Sequence, residues 1–326
     1  MTTYQNWQNN ETLIKDLQAV EEMINQHIRI KNKQIEAQIK QVTNNHGKML
    51  RPLFVILTSK MGNKYDHNKT IALAAAMETL HMATLIHDDV IDQADTRRQI
   101  PTLHTVKDNR YAIYAGDYLF SICFNMLSKY TEEFDILNYN ARTMEKVLIG
   151  ELDQLEARFT PPKSVKRYLS RISGKTAQLF AVSCYIGATE SGASLRDRQR
   201  AYNMGKYIGM AFQIIDDILD FKGDEKNVGK PVMADIRQGI FTLPLIYSYQ
   251  QQPDAVSALL KRPKPYTDET IHALEQQIIQ TEALDAAQRL AERYTHKALA
   301  TLSKLPEGSY KAMLGQIISD MLERTL

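Results

Sequence analysis

Apolar residues recur along this chain at helical spacing. Leu13, Leu17, Val20, Ile24, Ile28, Ile35 and Ile39 fall mostly at steps of three, four and seven, along one face of a single long helix. Asn44, Asn45 and Gly47 read as its end. Pro52 then stands near the start of the next helix, RPLFVILTSK, where a missing N–H is tolerated. The same periodicity predicts helices over about 68–93, 111–130, 134–157, 164–188, 196–222, 237–251, 268–280 and 283–303, with a last one from about 307. No run alternates apolar and polar residues strongly enough to demand a sheet. The breaks (Gly62-Asn63, Pro161-Pro162, 223–231 and 262–265) are turn-like, and none is long enough for a domain linker. An all-α chain forming one domain over residues 1–326 is expected.

Composition agrees with that expectation. Only 14 Gly and 10 Pro interrupt 326 residues, and 44% hydrophobic residues supply a large core. A near balance of 40 Lys+Arg against 38 Asp+Glu leaves +2, too little excess for a surface that coats nucleic acid. Anion binding must therefore come from local clusters. The apolar stretch from Ile71 to Met77 stops at Glu78, far short of the roughly 20 residues of a membrane span. The amino terminus, MTTYQNWQNNETL, lacks a signal design. Cys123 and Cys184, 61 positions apart among apolar neighbours, read as small buried hydrophobes rather than a disulfide or ligand pair. These features lead us to expect a soluble, cytoplasmic protein without an integral membrane segment.

One internal echo carries chemistry. Residues 82–92 read MATLIHDDVID and residues 210–220 read MAFQIIDDILD, so that Met, Ala, Ile and three Asp coincide at an offset of 128. Such a single echo is no solenoid repeat; it suggests two elements facing one cavity. Asp88 and Asp92, like Asp216 and Asp220, are one helical turn apart and share a face, with Asp89 and Asp217 beside them. Like charges at that spacing destabilise a helix, and apolar flanks worsen the repulsion. A bound cation resolves it. All six donors are hard oxygens, which favours Mg²⁺, or alternatively Mn²⁺, over Zn²⁺. Basic residues are also placed locally: Lys48 and Arg51 in GKMLRP, Arg97 and Arg98 after the first motif, Lys175 and Thr176 in a Gly-Lys-Thr step, and Lys222, Lys226 and Lys230 after the second. Guanidinium forks match phosphate oxygens. The Gly-Lys-Thr step lacks the upstream glycine and strand of a nucleotide-binding loop.

From Gly47 through Pro244 these residues resemble the trans-polyprenyl (head-to-tail isoprenyl) diphosphate synthases. GKMLRP, HMATLIHDDVID, RRQIPT, YAGDYL, GELDQ, SGKTAQL, FQIIDDILD, GKPVMAD and TLP look like that family's motifs, in its order. The long first helix, HMATLIHDDVID and AVSCYIGA look most like the large catalytic component of bacterial two-component hexaprenyl or heptaprenyl synthases. The resemblance implies a helical bundle around a deep central cavity, the isoprenoid synthase fold, with the acidic motifs on opposite walls. It implies about three Mg²⁺ ions per active site with substrate bound, held by Asp88, Asp92 and Asp216, with Asp89, Asp217 and Asp220 in direct or outer roles. Arg97, Lys175 and Lys230 would neutralise the allylic diphosphate, farnesyl diphosphate by expectation. Lys48, Arg51, His81 and Arg98 match positions that bind isopentenyl diphosphate. Thr176 and Gln213, with Lys175, would stabilise the cation or place the leaving group. Ala83 and Thr84, small where short-chain members carry an aromatic, would open a tunnel past Leu80 and Met77 toward Phe120 or Phe124. A small regulatory subunit is the implied partner, and a quinone side chain the implied use. Two departures stand out: Gln99 replaces a frequent Gly, and Ile240 replaces a frequent diphosphate-binding Lys.

Three rivals are weighed against this reading. A His-Asp metal-dependent phosphohydrolase is suggested by His87-Asp88, but the second motif has Ile215 in place of His87, and His87 itself reads as structural. A class I terpene cyclase shares DDxxD but normally mixes Asn, Ser/Thr and Glu into its second motif, whereas DDILD keeps three aspartates. A non-catalytic regulatory subunit would have lost the acidic motifs, which are intact here.

Overall fold

The long amino-terminal helix expected from the apolar stripe is two helices. In the computed structural model, which describes residues 10–44, 47–161, 164–222 and 233–323, α1 spans Glu11–His27 and α2 spans Lys33–Thr43. Ile28 turns extended (ψ 94°), and the Asn32 side chain caps α2 by accepting from the N–H groups of Gln34 and Ile35. The stripe runs on across the break because Ile28 is itself fully buried. Periodicity alone therefore could not reveal it.

The chain is an all-α helical bundle that groups into two compact units. Met1–Ala141, Val182–Tyr202 and Leu305–Tyr310 form one; Arg142–Ala181, Asn203–Lys304 and Lys311–Leu326 form the other. In the first, α3 (Leu50–Thr58) is buried at every position except Arg51. The 25-residue α4 (His67–Ile91) packs against α1 and α3. Asp66 caps α4, accepting from Lys69 N at 3.0 Å. Its run Ala72–Met77 is wholly excluded from solvent, which explains an apolar stretch too short to cross a membrane. A hairpin follows, β1 (Thr96–Arg97) pairing antiparallel with β2 (Ile100–Pro101), the only strands among the described residues. Its two-residue loop, Arg98-Gln99, has φ of 51° and 67°, the positive pair a type I′ turn requires. After a short α5 (Leu103–Val106), α6 (Asn109–Tyr130) packs along α4. A Cβ on Gly116 would lie 2.5 Å from His87 Nε2, so the glycine of YAGDYL makes room for that ring.

α7 (Phe134–Glu156) begins in the first unit and ends in the second. Within the second unit it buries Val147, Gly150 and Gln154, while Leu148, Ile149, Leu152 and Leu155 stand exposed. The helix expected over 164–188 is interrupted. α8 (Val165–Ile172) passes into one π-helical turn, Ser173–Ala177, before α9 (Gln178–Glu190). Single π turns recur at functional sites. α10 (Leu195–Lys222) packs on α8 in a core that includes Tyr168, Ile172, Ile214, Ile215 and Ile218.

Beyond it come α11 (Ala234–Arg237), α12 (Leu243–Gln251), α13 (Pro253–Leu260), α14 (Asp268–Ile279), α15 (Ala283–Leu302) and α16 (Ser309–Glu323). The helix expected from 237 starts at Leu243 because Gly239 (φ 78°) ends α11 and Pro244 opens the next helix. The pattern also missed α13, which starts on Pro253 in the favoured first-turn position. Both cysteines are buried and free. No helix among the described residues is long and apolar enough to cross a membrane.

Candidate active site

Each acidic motif stands at the C-terminal end of a long helix. Asp88 and Asp89 lie in the last turn of α4, and Asp92 is its C-cap, donating its N–H to Asp88 O at 2.8 Å. Asp216, Asp217 and Asp220 lie in the last turns of α10, which reaches Lys222. A helix C-terminus carries unsatisfied carbonyls and the negative end of the dipole. Carboxylates there are repelled by the backbone as well as by one another, which the bare spacing did not reveal.

Within each motif the second aspartate is turned inward and tied. Asp89, 6% exposed, accepts from Arg97 Nη2 at 2.6 Å and from Arg97 Nε at 2.8 Å. Asp217, 3% exposed, accepts from the Tyr168 hydroxyl at 2.6 Å and from Gln213 Nε2 at 2.8 Å. Gln213 Oε1 in turn accepts from the Thr176 hydroxyl at 2.6 Å. Burial, with the Asp235 carboxylate adding to it, pushes Asp217 up to about 8, against the pull of its hydrogen bonds and Arg171. Burial, and then the Asp217 side chain to which it donates, hold the Tyr168 hydroxyl well above the ordinary phenol range. Asp88, Asp92 and Asp220 are half-buried, and Asp216 is exposed.

The first unit gathers cations beside its motif. Arg51 opens α3 after Met49, which takes a left-handed conformation (φ 46°), and Lys48 is exposed just before it. The Arg98 guanidinium occupies the space that a Cβ on Gly47 would need, 2.3 Å from Nη2. His81 is held well below the usual imidazole range by burial and then by Arg51, Arg98 and Arg97, so it is neutral at pH 7. Sequence reasoning gave no role to Glu78, one turn before His81. It is 3% exposed, burial raises its carboxyl, and Arg51 and Arg98 oppose that rise. Glu78, Met82, Asp89, Arg97, Arg98 and Thr102 line one narrow cleft.

In the second unit Lys175 lies in the π turn and donates to Glu151 Oε2 at 2.8 Å. Glu151 stands in GELDQ, a motif to which spacing gave no partner. Lys226 and Lys230 lie outside the described residues, as does the side chain of Lys222. Ile240, which replaces a frequent lysine, is buried, its N–H donating to Asp235 O at 2.8 Å.

Of the residues expected to set product length, Met77, Leu80 and Ala83 are buried in α4, whereas Thr84 is half-exposed and donates to His81 O at 2.7 Å. Phe120 is half-buried in ring contact with His87 (5.3 Å), and Phe124 is exposed.

A family model described as polyprenyl synthetase matches residues 32–279. The chain belongs to the trans-polyprenyl diphosphate synthases. It is therefore a prenyltransferase that condenses isoprenoid diphosphates. It is 39% identical over 271 residues to heptaprenyl diphosphate synthase component 2 of Bacillus subtilis (strain 168), covering 83% of this chain and 77% of that one. The protein of the same name from Geobacillus stearothermophilus is 37% identical, with 93% of each chain covered. Among solved structures, geranylgeranyl pyrophosphate synthase from Lactobacillus brevis ATCC 367 superposes with a TM-score of 0.92 at 37% identity, covering 98% of this chain and 99% of the other. Heptaprenyl diphosphate synthase from Staphylococcus aureus gives 0.90 at 32% identity, covering 96% and 99%.

Membership of this synthase family implies dependence on Mg²⁺, and the donor set fits. Among the described residues no three His, Cys, Asp or Glu groups close around one metal position. Mg²⁺ keeps several waters and takes diphosphate oxygens beside one or two carboxylates, and the six aspartates supply only such hard oxygen donors. In a synthase His87 has a packing role: its Nε2 stands 3.2 Å from both Ile113 O and Asp117 Oδ1. The phosphohydrolase reading needed further histidines around the same metal.

Proposed function

We propose that this synthase elongates an allylic diphosphate, farnesyl diphosphate by preference, with isopentenyl diphosphate to all-trans hexaprenyl or heptaprenyl diphosphate for a quinone side chain, and that it works with a small regulatory subunit. The observation that carries the chemistry is the placing of both acidic motifs at helix C-termini, each with its inner aspartate tied and the outer pair presented. Asp88, Asp92, Asp216 and Asp220 would hold Mg²⁺, which when bound neutralises charge growing on the departing diphosphate. We take residues 1–326 as one catalytic domain, because the family match runs through both compact units.

The chain's own residues do the rest. The Arg97 guanidinium, held by Asp89 through Nε and Nη2, would bring one positive charge to the diphosphate. Lys175 adds a second positive charge, drawn from Glu151 toward the diphosphate. As the carbon–oxygen bond breaks, the bonding pair leaves with the diphosphate and an allylic cation remains. Thr176 and Gln213 place polar atoms for that step. Lys48, Arg51, Arg98 and neutral His81 orient isopentenyl diphosphate, whose double bond attacks the cation. A proton then leaves the new chain for the released diphosphate, restoring an allylic double bond.

The partner reading rests on the two relatives named as component 2 of a heptaprenyl diphosphate synthase. It gains support from the exposed apolar residues of α7, Leu148, Ile149, Leu152 and Leu155, because such a contiguous stripe is uncommon on a chain that works alone. Incubation with farnesyl and isopentenyl diphosphates, with and without a candidate small subunit, tests the proposal. Six- or seven-unit products that need the subunit support it. Release of inorganic phosphate alone, a cyclic hydrocarbon, or full-length product from this chain alone would each overturn a stated part.

A further inference from the structure

The segment formed by α8 and the π turn grips the second acidic motif at both ends, and both grips reach the same carboxylate. Tyr168 donates directly to Asp217 Oδ2 at 2.6 Å. Eight positions later Thr176 donates to Gln213, which donates to Asp217 Oδ1 at 2.8 Å. Tyr168 is 2% exposed and packs with Ile172, Ile214, Ile215 and Ile218. It stands beside Arg171, whose guanidinium lies 5.7 Å from the ring centre and donates to Phe241 O at 2.9 Å. The hydroxyl therefore has little freedom to point elsewhere.

We infer that Tyr168 is a positioning residue for the second metal motif: by holding Asp217 inward it fixes the rotation of the α10 end and so presents Asp216 and Asp220 together. The need follows from the charges. Three acidic side chains within five residues crowd the end of α10, and a helix end relieves such crowding by rotating or fraying. A pair of carboxylates can share one cation only while their spacing persists. Tying the middle group to the Tyr168 hydroxyl of α8, and to Gln213 of α10 itself, takes it out of that crowding and locks the other two. In the first motif a charged donor, Arg97, ties Asp89 in the same way. This inference rests on the second motif being the metal site proposed above.

Calorimetric titration of the full chain with Mg²⁺ in the presence of inorganic pyrophosphate tests it without turnover. Tyr168→Phe removes only the hydroxyl and is expected to raise the Mg²⁺ concentration for half-saturation about 10-fold. The loss of one buried bond will also lower the melting temperature, but a purely structural tyrosine would leave the Mg²⁺ midpoint of the folded protein unchanged, and that result overturns the inference. Should Tyr168→Phe fail to fold, the double variant Tyr168→Phe/Asp217→Ala no longer buries an unpaired carboxylate and serves instead. If Tyr168 acts through Asp217, the double variant matches Asp217→Ala alone within about 2-fold. A midpoint shifted well beyond that of the single variant refutes the inference. A wild-type chain that binds no Mg²⁺ with pyrophosphate refutes the metal site itself, and the inference with it.

Discussion

The Arg97 guanidinium closes on the Asp89 carboxylate through two nitrogens, with Nη2 2.6 Å and Nε 2.8 Å from Oδ1. Asp89 is buried, so removing Arg97 strands a charge rather than merely deleting a contact. Arg97→Ala is expected to destabilise the chain by about 1–3 kcal/mol in urea unfolding, the cost of a buried acceptor left without its donor. Arg97→Lys keeps the charge but not the two-point grip and should fall between. Unchanged midpoints in both variants would mean that the pair is ornamental.

Asp89 and Asp217 are buried and tied, whereas Asp88 is half-buried and Asp216 exposed. Asp88→Ala and Asp216→Ala should each abolish turnover, a fall of at least about 10²–10³-fold at saturating Mg²⁺, because no adjacent group replaces the lost ligand geometrically. Asp89→Ala should cost less activity, because it lies about 100° around the helix. Wild-type rates in either of the first two variants would refute the metal assignment.

Thr84 is the open member of the small pair before the first motif, and Ala83 is packed. If the growing chain runs along this face, each helical turn of about 5.4 Å spans roughly one prenyl unit. Thr84→Phe should then shorten the product to about three or four units and leave the first condensations intact. Chromatography of the dephosphorylated products decides this. Unchanged length from an active, folded variant places the tail elsewhere.

Glu36 joins the two helices that replace the expected single one. Its carboxylate accepts from Ile30 N at 2.8 Å and pairs with Lys40 and Lys33 at 3.0 Å each. These bonds lower its pKa from the ordinary 4.5 to about 2. An acid whose folded value is depressed contributes stability that is complete above its unfolded value. That contribution drains away as pH falls from about 4.5 through about 2. Glu36→Gln should flatten the stability profile over that window and leave its slope above pH 5 unchanged. An acid limb identical to wild type would show that the junction is held by other contacts.

The sequence made the helices legible where one apolar face persists. The expected 134–157, 196–222 and 283–303 stand within a residue or two of α7, α10 and α15. It failed where a break leaves the stripe intact, as at Ile28, or where a hydrogen-bond pattern changes without a change of period, as in the π turn at Ser173–Ala177. In the site, the aspartates were legible because the motif occurs twice. Glu78, Glu151 and Tyr168 were not. Tyr168 meets Asp217 across 49 residues, and Glu151 meets Lys175 across 24, so only packing pairs them. The Arg98-Gln99 turn lies between. A frequent glycine replaced by Gln99 was visible in the sequence, but that the backbone there is left-handed came from the structure.

A helix that finishes on carboxylates is least secure where its chemistry is done. The last turns of α4 and α10 work against their own dipoles, so the metal-free protein should spend some of its time with those turns open. A cation that binds only the closed form then acts as a missing helix cap, and part of its intrinsic affinity goes into closing the turn. Amide hydrogen exchange at Asp89–Asp92 and Ile218–Asp220 should slow when Mg²⁺ and pyrophosphate are added, while the centre of α4, around Ala74, should not change. The strength with which this enzyme holds its metal would thus be set partly by how readily two helix ends unravel without it.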